Sequence, residues 1–172
     1  MQQSKAAAGS AVFFLAAPGV VAGLIPWLLT GWRLPDGPIG PLGVAAMIVG
    51  GALILAGTAF LVSAFIRFVT EGLGTPAPIA PPSRLVIGGV YRFVRNPMYV
   101  AVLAVIIGQS LVFQHLGLLA YAVAAFVLVL AFVTFYEEPH LTREFGADYE
   151  AYKRAVPGWW PRWTPWTPPG QP

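Results

Sequence analysis

Cysteine is absent from this 172-residue chain, and charged residues make up only 10% of it. Without cysteine there is no disulfide framework, no thiolate nucleophile and no thiolate metal site. The two histidines, His115 and His140, are too few for a histidine-rich metal cage, so we expect no metal. The chemistry must therefore come from arginine, glutamate, asparagine and tyrosine side chains.

The scarcity of charge also excludes an ordinary soluble domain. Hydrophobic residues make up 57% of the chain and its mean hydropathy is +0.70, whereas soluble domains carry about 25% charged residues. Ten basic and seven acidic side chains cannot cover the surface of a small globule. The net charge of +3 does not come from one basic run, so we expect attraction to an anionic membrane face and no nucleic-acid partner.

Three stretches without charged residues are each long enough to cross a bilayer: residues 6–32, 37–66 and 96–136. One crossing takes about 20 helical residues. The third stretch is about twice that length and carries a polar, glycine-containing turn near its middle, so it predicts a helical hairpin. We therefore predict four transmembrane helices, at residues 11–30, 42–66, 98–113 and 118–136.

The first uncharged stretch has a competing interpretation as a signal peptide, because Lys5 precedes it. The stretch exceeds the usual apolar core of about 7 to 15 residues and lacks a convincing cleavage site, so we keep it as a spanning helix. Pro18 and Pro26 lie within it and predict a kink, with the freed carbonyls satisfied by neighbouring helices.

The distribution of cations predicts the orientation. With four spans and a cytoplasmic N-terminus, nine basic residues fall on the inner side and only Arg33 on the outer side. This asymmetry is a strong positive-inside signal. We expect a multi-pass protein of a plasma membrane, with both termini and the loop before the third span in the cytoplasm.

After Tyr136 the pattern changes to a single apolar stripe, which predicts an amphipathic helix on the inner surface. The stripe consists of Leu141, Phe145, Tyr149, Tyr152 and Val156. Gly146 weakens its continuity, and His140 is expected at its surface. The domain organisation is then two N-terminal spans (1–70), a cytoplasmic loop (71–97), the transmembrane hairpin (98–136), and the amphipathic helix with an irregular tail rich in proline and tryptophan (137–172).

Polar residues concentrate at the two open ends of the predicted hairpin. Asn96 is a natural N-cap and Pro97 a natural first helical residue. The free N–H groups of this helix start suit an anionic group of a ligand. Glu137 and Glu138 end the fourth span on the same side, so one of them should pair with Arg95.

These motifs, taken in order, carry a resemblance over residues 83–162. They are Gly89-Val90-Tyr91, Arg95-Asn96-Pro97-Met98-Tyr99, Glu137-Glu138, Phe145-Gly146, Tyr149, Tyr152 and Val156-Pro157. The set resembles the C-terminal half of isoprenylcysteine carboxyl methyltransferases and their bacterial relatives. Phospholipid N-methyltransferases are more distant members of the same group.

The resemblance implies a membrane enzyme that transfers a methyl group from S-adenosylmethionine to a lipophilic isoprenoid or lipid acceptor, in a bacterial inner membrane. The cofactor would lie at the inner ends of the last spans. The matching cofactor positions are Ser83, Arg84, Leu85, Val86, Tyr91, Asn96, Pro97, Met98, Tyr99 and Glu137. Arg95 and Glu138 are weak candidates for catalytic residues.

Two positions depart from the pattern of that family. Asn96 stands where the family usually has histidine, although asparagine also donates and accepts hydrogen bonds. Val133 stands where the prenylcysteine enzymes carry an arginine that engages the substrate. Without that cation a substrate carboxylate loses its charge partner, so we expect an acceptor other than a prenylated cysteine.

Two other functions fit parts of the pattern. One is a sterol-type membrane reductase that uses NADPH, which resembles this C-terminal region and needs no glycine-rich dinucleotide fingerprint. The other is a non-enzymatic membrane interaction or transport protein, although the uncharged spans offer no ion path. Arg92 and Arg95 would then be positive-inside anchors, and Tyr91 and Tyr99 interfacial aromatics.

Overall fold

The computed structural model describes residues 17–72 and 84–167, and all regular structure in these ranges is helical. The all-α class is therefore confirmed for the described residues. The helices are α1 (Ala17–Thr30), α2 (Pro41–Gly72), α3 (Pro97–Val112), α4 (Leu116–Phe132) and α5 (Glu138–Ala155). A 3-10 helix forms at Gly89–Arg92, and π-helical turns form at Val20–Leu24 and Val133–Glu137.

Two helical segments are long and apolar enough to cross a membrane, Pro41–Phe68 and Leu116–Ala155. The helices α1 and α3 are apolar but shorter in the described residues. At about 1.5 Å per residue, the 16 residues of α3 extend over about 24 Å. Helix α2 continues to Gly72, six residues beyond the span predicted from the sequence.

The most extensive contact in the bundle is between α2 and α3, and glycines set its closeness. A Cβ atom placed on Gly50 would lie 2.5 Å from the carbonyl oxygen of Gly108, and one placed on Gly108 would lie 2.7 Å from that of Gly50. Two turns further along α2, a Cβ on Gly57 would lie 3.0 Å from the Ala101 carbonyl oxygen. Small residues allow this backbone approach, which gains van der Waals contact without a hydrophobic driving force.

The predicted helical hairpin is formed by α3 and α4. Its turn occupies residues 113–115, where Gln114 adopts a positive φ of 48°. Ile106 on α3 and Leu118 on α4 are both fully buried (0% exposed). The turn lies close to the predicted position, and it brings the Pro97 end of α3 beside the C-terminal end of α4.

The kink predicted in α1 takes the form of the first π turn, directly before Pro26. Proline has no N–H group, so carbonyl groups one turn earlier lose their helical donor. Gln109 Nε2 donates to the Ala22 carbonyl oxygen at 2.7 Å, and the Tyr121 hydroxyl donates to the Val21 carbonyl oxygen at 2.9 Å. Side chains of α3 and α4 therefore satisfy the carbonyls that the proline frees.

Helix α5 continues from α4 through the second π turn and then reverses at Gly146. This residue has φ 53° and ψ −125°, which are not helical angles. Lys153 Nζ lies 2.7 Å from Glu138 Oε2, although 15 residues of continuous helix would separate them by about 22 Å. Thr142 Oγ1 also donates to Glu150 Oε1 at 3.1 Å. The sequence predicted one amphipathic helix, and the structure shows two antiparallel halves.

The two halves of α5 bury the predicted apolar stripe between them. Tyr149, Tyr152 and Val156 are buried and pack against Leu141 and Phe145. The same cluster includes Leu85 and Ile87, which precede the 3-10 helix, so α5 covers one end of the bundle.

The tail after α5 contains no helix or strand over residues 157–167, as predicted. Backbone hydrogen bonds nevertheless connect this tail to residues 92–96. Arg95 N donates to Pro157 O at 2.9 Å, and Trp166 N donates to Arg92 O at 2.9 Å. The tail therefore fixes the segment that leads into α3.

Candidate functional site

A cavity of about 320 Å³ lies where the Pro97 end of α3 meets the C-terminal end of α4, the 3-10 helix and α5. Most of the positions predicted to bind a cofactor line it: Leu85, Val86, Tyr91, Asn96, Pro97, Met98, Tyr99 and Glu137. Arg95 lines it as well. The hairpin thus brings together residues that are about forty positions apart in the sequence.

Two of the predicted site residues that the structure describes, Arg84 and Glu138, do not line this cavity. Arg84 is exposed and lies away from the cavity wall. Glu138 is adjacent to Glu137 but is not among the lining residues, and it accepts a hydrogen bond from Arg95, which is. Ser83 lies outside the described residues.

Tyr99 and Glu137 form a hydrogen bond across the open end of the hairpin. The Tyr99 hydroxyl donates to Glu137 Oε2 at 3.1 Å, and the two residues are 38 positions apart. Tyr99 lies in the first turn of α3, and Glu137 is the last residue of the second π turn. A π turn adds one residue to a helical turn, which rotates the following residues by about 100°. This rotation changes which side chains of α4 and α5 face the cavity.

Arg95 donates hydrogen bonds to three protein groups. Its Nη1 donates to Glu138 Oε1 at 2.8 Å and to the Tyr149 hydroxyl at 3.1 Å, and its Nε donates to the Val156 carbonyl oxygen at 2.8 Å. The predicted pair of Arg95 with the acidic dipeptide therefore forms, with Glu138. Lys153 also contacts Glu138 at 2.7 Å, so Arg95 and Lys153 share this one carboxylate, and Glu137 is the carboxylate on the cavity wall.

Asn96 occupies the N-cap position of α3, but its side chain makes no capping hydrogen bond. Its Nδ2 atom is buried and has no hydrogen-bond partner within the described part of the chain. Leaving a buried donor unpaired costs about 1–3 kcal/mol. The amide therefore suits an acceptor oxygen of a bound molecule, which is the kind of group that a carboxylated or hydroxylated cofactor brings.

Tyr91 is 7% exposed, lines the cavity and packs in a cluster with Ala64 of α2 and Val86. Tyr152 fixes its backbone, because the Tyr152 hydroxyl donates to the Tyr91 carbonyl oxygen at 2.6 Å. Burial, with Tyr152 and Glu137 nearby, raises the pKa of the Tyr91 phenol well above its ordinary value. The Tyr91 side chain therefore remains a neutral hydrogen-bond donor at neutral pH.

Sequence reasoning missed much of the cavity wall. Helix α1 contributes Ala17, Pro18 and Val21, whereas α4 and α5 contribute Val129, Phe132, Tyr136, His140, Leu141, Phe145, Tyr149 and Tyr152. Three of these have a signal in the sequence, since Phe132, Tyr136 and His140 recur every four residues and so share one helical face.

His140 was expected at a surface of the amphipathic helix, and this expectation is wrong. The side chain lies on the cavity wall, and its ring is parallel to that of Tyr136, with an interplanar angle of 5° and ring centroids 6.2 Å apart. Tyr136 in turn stacks on Phe132 at 5.2 Å. The three rings form an aromatic ladder along the cavity side of α4 and α5.

Val133 begins the second π turn, directly after Phe132, and does not line the cavity. It is buried, with 2% of its surface exposed. The cavity wall at this level is formed by Phe132 and Tyr136. No group of three residues able to hold a metal ion occurs among residues 17–72 and 84–167.

A family model for phospholipid methyltransferases matches residues 45–148. The chain belongs to the phospholipid methyltransferase family. The matched region contains α3, α4 and the first half of α5, and with them Tyr91, Asn96, Tyr99 and Glu137.

The chain is also similar to curated phosphatidylethanolamine N-methyltransferases of fungi. It is 38% identical over 71 residues to the protein of Phaeosphaeria nodorum, a match that covers 41% of this chain and 8% of the fungal protein. It is 37% identical over 69 residues to the protein of Pyrenophora tritici-repentis, covering 40% of this chain and 8% of that one. The similarity is thus to a small part of much longer proteins.

The family model and the fungal relatives are phospholipid methyltransferases. The sequence motifs, by contrast, most resembled those of the prenylcysteine enzymes. The prenylcysteine assignment and the bacterial type are not confirmed. No solved structure matches the chain.

Proposed function

We propose that this protein is an integral-membrane methyltransferase that uses S-adenosylmethionine to methylate the amine of a membrane lipid. The observation that carries the proposal is one cavity that joins a polar end, formed by Tyr91, Asn96 and the Tyr99–Glu137 pair, to an apolar wall on α1 and α4. Membership of the phospholipid methyltransferase family supports the same reaction class.

The proposal places the helices α1 to α4 across the bilayer, as four spans. Both termini, the 71–97 loop and α5 then face the cytoplasm, where the methyl donor is dissolved. In this orientation nine basic residues lie on the cytoplasmic side and one lies on the outer side, which is the distribution that membrane proteins favour. The short α3 fits such a span where the bilayer is locally thin or the helix is little tilted.

Asn96, Tyr91 and Glu137 would hold the cofactor. The unpaired Nδ2 of Asn96 and the neutral phenol of Tyr91 suit its acceptor oxygens, and the Glu137 carboxylate suits its positive charge. Leu85 and Val86 would provide an apolar surface beside it. When bound, the cofactor supplies an electrophilic methyl group, so the protein needs no metal and no nucleophile. Its own contribution is alignment and exclusion of water, which supply about 7–11 kcal/mol in favourable cases.

The acceptor would enter from the bilayer side. Phe132 and Tyr136 line the cavity but are 40% and 50% exposed, so the wall on α4 is open laterally. The cavity wall favours an amine over a carboxylate, because it presents the Glu137 carboxyl group, while the guanidinium of Arg95 already donates to Glu138, Tyr149 and the Val156 carbonyl oxygen. A buried carboxylate without a cation is costly, whereas an ammonium group is attracted. Val133 has no direct part in this preference, because it does not line the cavity.

The same charge distribution weighs against an NADPH-dependent reductase. The phosphates of a dinucleotide are usually bound by several cationic side chains or backbone N–H groups. Among the described residues, the cation on the cavity wall is Arg95, and it already donates to Val156 and Glu138.

The proposal is tested with detergent-purified protein. Calorimetry should show binding of S-adenosylhomocysteine and none of NADPH. With radiolabelled donor, phosphatidylethanolamine vesicles should become labelled, and a farnesylcysteine analogue should not. Binding of NADPH alone, or efficient turnover of the farnesylcysteine analogue, would contradict the proposal.

A further inference from the structure

We propose that His140 accepts the proton that the acceptor amine must lose, an inference that rests on the proposed amine methylation. A lipid amine resembles a lysine side chain, which deprotonates near pH 10. It therefore arrives as an ammonium ion, with no lone pair to attack a methyl group. Methylation at neutral pH requires a base within the cavity.

His140 is placed to act as that base. Its imidazole lies on the cavity wall, one helical turn after Glu137, and its ring is held parallel to Tyr136. In the described part of the chain it has no hydrogen-bond or ion-pair partner, so both ring nitrogens are uncommitted. Histidine suits this task because an ordinary imidazole titrates within the physiological range.

The other titratable groups on the cavity wall are less suited. They are Tyr91, Arg95, Tyr99, Tyr136, Glu137, Tyr149 and Tyr152. Arginine carries no available lone pair, and neutral phenols are weak bases. Glu137 already accepts a hydrogen bond from Tyr99 and is proposed to hold the cofactor. Since Glu137 is assigned to the cofactor, His140 is the base that remains on the described cavity wall.

The step balances without a further reactant. One proton moves from the lipid ammonium to an unprotonated ring nitrogen of His140, and the electron pair of that N–H bond becomes the lone pair of the amine. The lone pair forms the new N–C bond to the methyl carbon, while the C–S bond breaks and its electron pair stays on sulfur. The imidazolium then releases its proton to cytoplasmic water.

The first test observes His140 directly. The chain has two histidines, so a sample labelled at histidine gives two imidazole signals, which a His115→Gln variant assigns. His115 lies in the turn at the opposite end of the hairpin, which makes it an internal control. Adding phosphatidylethanolamine in micelles should shift the His140 signal and leave that of His115 unchanged, while phosphatidylglycerol should shift neither. A His140 signal that does not shift when phosphatidylethanolamine is added would overturn the proposal.

The second test measures methyl transfer by His140→Gln and His115→Gln between pH 6.5 and 10. At pH 7 we expect His140→Gln to lose about a hundredfold in rate, within the range for general bases. The loss should shrink towards pH 10, where the amine deprotonates by itself. His115→Gln should match the parent protein at every pH.

Affinity for S-adenosylhomocysteine separates the possible failures. We expect His140→Gln to bind it within twofold of the parent protein. If the variant loses this affinity, or keeps the parent rate and pH profile, His140 is not the base, although the proposed function stands. If the parent protein methylates no amine lipid, the proposed function itself fails.

Discussion

Arg95 and Asn96 are adjacent in the sequence, yet their side chains are used in opposite ways. Arg95 donates hydrogen bonds to a carboxylate, a carbonyl and a phenol, whereas the Asn96 amide is buried and unpaired within the described residues. The position of Asn96 was predictable, because Pro97 marks a helix start. Its unpaired state was not, since it depends on the tail packing beside it, where Gly158 approaches the amide.

We predict that two single substitutions, each of which alters one polar group, weaken cofactor binding. Glu137→Gln replaces a carboxyl group by a neutral amide, and Tyr91→Phe removes a phenol hydroxyl, both at residues that line the cavity. Hydrogen bonds to charged groups contribute about 1.5–3 kcal/mol. We therefore expect roughly ten- to hundredfold weaker binding of S-adenosylhomocysteine by calorimetry.

The matched control for these variants is Glu144→Gln, because Glu144 is exposed and lies outside the cavity. It should bind S-adenosylhomocysteine as the parent protein does. If all three variants bind equally well, Glu137 and Tyr91 do not belong to the cofactor site.

Among the helices, the reversal of α5 decides the shape of the site. The period of the apolar stripe predicted which residues are buried, and Tyr149, Tyr152 and Val156 are indeed buried together. It did not predict the reversal, because an amphipathic period describes a face of a helix and not its direction. The reversal places Lys153 on Glu138 and brings Tyr149 and Tyr152 onto the cavity wall.

We predict that Gly146→Ala destabilises the protein although nothing crowds the new methyl group. A Cβ atom at Gly146 meets no atom within 4 Å, but its φ of 53° is rarely adopted by other residues. Such backbone strain costs about 1–3 kcal/mol. Thermal unfolding in detergent should show the loss, and S-adenosylhomocysteine should bind more weakly because the cavity wall is displaced.

Gly51→Ala is the matched control, since Gly51 lies within α2, has helical geometry and also has no atom within 4 Å of the new Cβ. Alanine in a helix interior is favoured over glycine by about 0.5–1 kcal/mol. This variant should be as stable as the parent protein or slightly more so. Equal melting temperatures for Gly146→Ala and the parent protein would refute the strain argument.

In the whole molecule, the uncharged stretches predicted the helices well because the cost of burying charge in lipid fixes where spans can lie. The hairpin turn and the ends of α3 lie within one or two residues of their predicted positions. The contribution of α1 to the cavity was not predicted, since its residues Ala17, Pro18 and Val21 carry no polar signal. Apolar walls are recognisable only once the helices are packed.

The orientation of the bundle gives the last prediction, that the hairpin turn is extracellular and the tail cytoplasmic. Nine of the ten basic residues then lie on the cytoplasmic side, where anionic lipids attract them. Because the chain has no cysteine, each introduced cysteine is the sole thiol. Gln114 and Trp163 are suitable sites, since both are exposed. In intact cells or right-side-out vesicles, a membrane-impermeant maleimide should label Gln114→Cys at once and Trp163→Cys only after permeabilisation. Labelling of Trp163→Cys in sealed vesicles would place the cavity on the wrong side of the membrane for a soluble cytoplasmic methyl donor.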